Sequence, residues 1–189
     1  MRIAGELEIP ISRTRISAGV ENLTQYLYFN NKALPSQYDG NIQVLEARLE
    51  QDVKWGIFHW NNDLVYQKSS KQSVLPLPDL SIYSQMFLNF RIARVLQTQI
   101  GVDCHLHTRY YGQSYQPATQ MFHNQDIAKV GNYPLVNVYA NMKLKGVRFF
   151  VMMYHVNQNL FGGNDYFLAP YQPMNPRMFK FGASIEFAN

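Results

Sequence analysis

Asp103, Cys104, His105 and His107 place the side chains best able to ligate a metal or move a proton within one short stretch. In an extended strand successive side chains point to opposite faces, so Asp103, His105 and His107 share a face. Two imidazoles so placed could hold a metal ion; the preferred reading is a row of polar residues on a water-facing wall. Cys104 falls on the other, apolar face and reads as an inert small hydrophobe. A single cysteine excludes an internal disulfide and an ordinary cysteine-ligated zinc site. A second group, Glu46, Glu50 and Asp52 beside Arg48 and Lys54, could supply a catalytic carboxylate pair. Its signs alternate along one face, which favours a charged wall. No Ser-His-Asp arrangement, phosphate loop or paired metal motif occurs. Gly162-Gly163 reads as a turn, since no strand-loop-helix context surrounds it. We therefore expect no catalytic residue, no metal and no cofactor.

Composition narrows the class. Of 189 residues, 47% are hydrophobic and 16% charged, against about a quarter charged in ordinary soluble domains. Aromatics reach 14%, with 13 Tyr and 12 Phe. The net charge of +4 is spread along the chain without a Lys/Arg run, so no nucleic-acid partner is expected. No apolar run approaches the length of a transmembrane helix, and the acidic N-terminal stretch is not a signal peptide.

The elements that must position these residues are strands. The last stretch alternates without a break: Phe179, Phe181, Ala183, Ile185 and Phe187 on one face, Lys180, Gly182, Ser184 and Glu186 on the other. The same period of two predicts strands over 2–11, 15–29, 42–54, 57–67, 81–92, 95–111, 135–144, 147–156 and 178–187. Leu45, Leu49 and Val53 lie four apart and make 42–54 the best helical rival, but strict charge alternation favours a strand. Connections alternate between tight turns, near 12–14, 54–56, 93–94 and 145–146, and long ones over 30–41, 68–80, 112–134 and 157–177. Tight turns at one edge and long loops at the other are the asymmetry of an outer-membrane barrel. Aromatics near strand ends fit two interfacial girdles: Tyr26, Tyr28, Tyr66 and Tyr110 at the long-loop edge, Trp55, Phe149 and Phe187 at the tight-turn edge. Nine strands are odd for a single-chain barrel. The chain is therefore expected to be the C-terminal part of a transmembrane β-barrel, lacking at least one preceding strand.

Several linked blocks carry a family likeness: 131–139 (GNYPLVNVY), 141–145 (NMKLK), 148–151 (RFFV), 155–157 (HVN) and 171–182 (YQPMNPRMFKFG), with 115–119 (YQPAT) as a further match. Together they resemble the closing segment of the putative porin family of Bacteroidetes. The likeness is strong over about 100–189 and architectural over 1–99. It implies an outer-membrane channel without naming a solute.

The expectation is thus an all-β, antiparallel up-and-down meander of about nine strands in a single domain over 1–189. Small polar solutes would diffuse passively through a water-filled lumen. Glu46, Arg48, Glu50, Asp52, Asp103, His105, His107, Arg109, Lys143 and Arg148 would face that lumen and set its selectivity. Phe179, Phe181, Gly182, Ile185 and Phe187 would form the strand recognised by the barrel-assembly machinery through strand pairing. Partners are outer-membrane lipid, that machinery and small polar solutes. A non-conducting barrel binding a ligand through its long loops, or a soluble lipocalin-like carrier, are the alternatives.

Overall fold

The computed structural model describes residues 1–160 and 167–186. In chain order its strands are β1 (Arg2–Ile9), β2 (Thr14–Phe29), β3 (Pro35–Trp55), β4 (Phe58–Ser69), β5 (Leu80–Ile92), β6 (Leu96–His107), β7 (Ser114–Gln116), β8 (Met121–His123), β9 (Leu135–Leu144), β10 (Val147–Tyr154), β11 (Phe167–Ala169), β12 (Gln172–Pro173) and β13 (Met178–Ile185). Nine of them form one antiparallel sheet in the order β1-β2-β3-β4-β5-β6-β9-β10-β13. This is the expected nine-strand meander. The pairs β7–β8 and β11–β12 are small hairpins carried within two of the long connections. The large sheet is open: β1 and β13 each have one strand neighbour among the described residues.

The tight turns lie at 10–13, 56–57, 93–95 and 145–146, and positive-φ residues (Arg13, Gly56, Ala93, Arg94 and Lys145) make them possible. The other end carries connections 30–34, 70–79, 108–134 and 155–177. Two expected boundaries change. The stretch 30–41, read as a loop from Pro35 and Asp39-Gly40, is mostly strand, and β3 runs for 21 residues. Pro35 costs little because it opens the strand, where its missing N–H removes no interior ladder bond. Gly40 lies where the β2–β3 register shifts between Thr24 and Tyr26, and its missing side chain leaves room for the Tyr38 ring. The β2–β3 pair therefore projects beyond β4, whose pairing with β3 stops at Val44↔Ser69. The second change is at β6, which ends at His107, so Arg109 lies beyond the strand expected to hold it.

The apolar residues do not form an interior. The buried hydrophobic residues are Ile42, Val74, Val130, Tyr139 and Ala169, and all but Tyr139 lie at the long-loop end. There the connections knit into a cap around buried polar side chains. Asn124 donates to the carbonyls of Ser73 and Val74 at 3.1 and 2.7 Å, and Gln125 donates to those of Gly112 and Ala128 at 2.6 and 2.7 Å. His155 is fully buried; its Nδ1–H donates to the Asn175 carbonyl at 3.0 Å, so its Nε2 accepts from the Tyr133 hydroxyl at 2.7 Å. Loops can be buried this way only because their polar groups find partners.

Within the sheet the apolar face stays exposed on every strand. Leu7, Ile16, Leu45, Trp60, Met86, Ile100, Val138, Phe149 and Phe181, one from each strand in turn, are all exposed, Phe181 to 77%. On that face the Trp60 indole N–H donates to Ser84 Oγ at 3.0 Å, and Ser84 donates to Asn62 Oδ1 at 2.8 Å.

Candidate functional site

The opposite face of the sheet is polar, hollowed and cross-linked by side chains. Alternation puts Arg15, Arg48, Glu50 and Asp63 on it, and register brings them together: Arg15↔Glu50 and Glu50↔Asp63 are direct partners. Arg48 grips Asp63 through both carboxylate oxygens, at 2.8 and 2.6 Å, and lies 2.9 Å from Glu50. Arg15 lies 3.1 Å from Glu6 and 3.5 Å from Glu50. The result is a chain of alternating sign, Glu6–Arg15–Glu50–Arg48–Asp63, across β1 to β4. Arg13 and Asp52 pair beside it at 3.4 Å. The two-pronged contact of a planar guanidinium with a carboxylate fixes geometry as well as charge. Because the charges are largely spent on each other, this wall is a dipolar lattice with little net sign.

From β4 onward the polar face changes character. Gln85 and Asn137 are amides, Asn141 donates to Gln99 at 3.1 Å, and the rings of Tyr83, Phe87, Tyr139 and Phe150 stand among them. Asp103 is nearly buried; it accepts from Asn137 Nδ2 at 2.7 Å and lies 3.6 Å from His105 Nε2. Tyr139 OH accepts from Gln85 Nε2 at 2.7 Å. His59 stacks on Phe87 with centroids 4.7 Å apart. A hollow of about 450 Å³ opens over Tyr83, Gln85, Asp103, His105, Asn137 and Tyr139. A second, of about 580 Å³, lies over Arg13, Arg15, Glu50, Asp52, Asn61 and Asp63.

The expected lumen residues are distributed as follows. Glu46, Arg48, Glu50, Asp52, Asp103 and His105 stand on this face, Glu46 at the edge of a groove shared with Arg2 and Glu21. Lys143 pairs in register with Gln97 and Arg148, and Arg148 reaches Glu186 at 3.0 Å near the tight-turn end. The His107 ring meets Tyr110 edge-on at 5.5 Å, whereas the His105 ring leans on Tyr83 at 4.6 Å. The two imidazoles thus rest on different rings, and no cluster of three or more His, Cys, Asp or Glu fit for a metal occurs among the described residues. Of the final strand, Phe179, Phe181 and Ile185 are exposed on the apolar face, and Gly182 leaves space for the ring of its partner Phe150. Phe187 lies outside the described residues.

Sequence reasoning missed the cross-strand row at the centre of this face. Register aligns Asp52↔Asn61, Asn61↔Gln85, Gln85↔Asp103 and Asp103↔Asn137, so five hydrogen-bonding side chains stand side by side across β3, β4, β5, β6 and β9. Each residue is a polar-face position by alternation alone. Their common level depends on four registers, which alternation does not supply.

A family model described as a putative porin matches residues 1–189, the whole chain. No curated protein and no solved structure matches it.

Proposed function

The chain belongs to the putative porin family, and on that premise we propose that it forms an outer-membrane β-structure through which small polar solutes or ions diffuse passively. The observation that carries this reading is the inversion of the sheet. Nine strands expose an apolar face, while their opposite face is hollowed and holds the charged and amide side chains. A contiguous apolar wall of this extent is unfavourable against water and favourable against hydrocarbon. With lipid on one side, the polar face must line an aqueous space. A sheet in lipid cannot leave backbone groups unpaired, so the reading requires the edges of β1 and β13 to be paired within the membrane as parts of a barrel. The connections of the long-loop end would then face the cell exterior and the tight turns the periplasm.

The edge of β13, with Phe179, Phe181 and Ile185 on its apolar side, suits recognition by a barrel-assembly machinery through strand addition. The family match and a polar face whose charges are paired with one another favour transport as the role of that face.

The test is electrical. The purified chain, folded in detergent and confirmed as β-structure by circular dichroism, is added to planar bilayers. Discrete conductance steps are expected. Folded protein that inserts without conductance would overturn the channel reading.

A further inference from the structure

We propose that the tight-turn end of the polar face holds a binding subsite for a small phosphate-bearing anion, built on Lys143 and Arg148. The proposal deepens the channel reading and rests on the polar face being open to water. Register sets the site. Arg91↔Gln97, Gln97↔Lys143, Lys143↔Arg148 and Arg148↔Ser184 are direct partners, so one row crosses β5, β6, β9, β10 and β13. Each member lies one residue in from the end of its strand. Alternation puts all five on the polar face. The next row inward, Asn89–Gln99–Asn141, adds amides. A hollow of about 480 Å³ lies over Asn89, Gln97, Gln99, Lys143, Arg148 and Ser184, within the range of roughly 300–1,000 Å³ typical of small-molecule sites.

The donors of this site are open and unspent. The Lys143 ammonium, the Arg91 guanidinium and the Gln97 amide make no hydrogen bond or ion pair among the described residues. Asn89, Arg91, Gln97, Arg148 and Ser184 are exposed, so a solute can reach them. Gln99 accepts from Asn141 through Oε1, which leaves its Nε2–H groups free to donate. Arg148 gives one nitrogen to Glu186 at 3.0 Å. Both side chains of that pair are more than half exposed, and a pair so hydrated yields readily to a competing anion. The remaining N–H groups of the guanidinium keep the planar fork that suits phosphate oxygens.

The charge balance fixes the sign of the occupant. Across β1 to β4, Arg13, Arg15 and Arg48 each meet a carboxylate. Here Arg91, Lys143 and Arg148 have Glu186 as the one nearby acid among the described residues. Asp103, the acid within these five strands, stands six residues up β6 from Gln97, about 20 Å along the strand. Arg94 and Lys145, in the tight turns that join the strands, add positive charge at the same rim. An uncompensated cationic rim on a low-dielectric wall concentrates anions. Its donors come from neighbouring strands and are of two kinds, cationic and amide. A phosphate group, with acceptor oxygens spread tetrahedrally, can take several of them at once, whereas a halide uses the charge alone.

The probe is inorganic phosphate, followed by phosphorus NMR titration of the full chain folded at low salt in a phosphate-free detergent. Saturable binding is expected. Affinity should fall about tenfold or more in Lys143→Gln and in Arg148→Gln, the effect of losing one charge-assisted hydrogen bond. Glu186→Gln, which releases Arg148, should tighten binding. Lys32→Gln, which removes the same charge at the long-loop end, should change affinity by less than about twofold. Circular dichroism confirms that each variant is folded. Absence of saturable binding, equal binding by folded Lys143→Gln, equal weakening by Lys32→Gln, or displacement of phosphate by equimolar sodium chloride would overturn the assignment. Binding is read without conduction. A chain that binds phosphate but does not conduct overturns only the channel reading, and one that conducts but does not bind overturns only this one.

Discussion

Tyr139 reaches across Gly101, its register partner on β6, to accept a hydrogen bond from Gln85 on β5. A Cβ on Gly101 would stand 2.7 Å from the Tyr139 hydroxyl, 2.6 Å from the Met86 carbonyl and 2.6 Å from Phe87 Cβ. One missing side chain thus lets a buried aromatic bridge three strands and fixes one wall of the hollow beside Asp103. Gly182 and Phe150 repeat the arrangement between β13 and β10, where a Cβ would stand 2.5 Å from the ring.

Gly101→Val should therefore destabilise the sheet by about 1–3 kcal/mol, the usual cost of forcing atoms into an occupied space. Two of the obstructing atoms are backbone or backbone-proximal and cannot swing away. Urea unfolding of the detergent-folded protein measures the loss. Near-ultraviolet circular dichroism should show an altered Tyr139 environment.

The two faces of β6 should respond oppositely to charge. Ile100 is exposed on the apolar face, and its neighbour Gln99 lies on the polar face. Ile100→Arg should cost about 2–4 kcal/mol near a bilayer midplane, and Gln99→Lys less than about 1 kcal/mol. Unfolding from phospholipid vesicles distinguishes them. Equal costs would contradict the orientation of the sheet in lipid.

Arg48 separates two carboxylates that are direct register partners, Glu50 and Asp63. Arg48→Gln leaves like charges facing each other, at a cost of about 1 kcal/mol. It also turns a balanced wall into an acidic one. The reversal potential across a potassium chloride gradient should shift toward cation preference relative to the unaltered channel.

Asn124 ties the 70–79 connection to the 108–134 connection through two donated bonds, and it accepts one from Gln113 at 3.2 Å. Asn124→Ala leaves buried carbonyls without donors, a loss of about 1–3 kcal/mol. The loss should be local. Amide hydrogen exchange should quicken across 70–79 and 112–130 and stay unchanged in β9 and β10.

The sequence by itself determined the nine strands of the large sheet, the turn positions at 145–146 and near 55 and 93, and the face on which Glu46, Arg48, Glu50, Asp52 and Asp103 lie. Alternation is a local property, with period two and no dependence on distant partners, so it survives reading one residue at a time. Proline and glycine misled it at 35–40, because their turn chemistry also fits the start of a strand and a register shift. What only the tertiary structure decided is which residues meet across strands. The Arg48–Asp63 grip, the different ring partners of His105 and His107, the cap built on Asn124 and His155, and the row from Asp52 to Asn137 all follow from register and long-range packing. A register is set by the sum of pairings and turn geometries over the whole sheet, and no single strand carries that sum in its own residues.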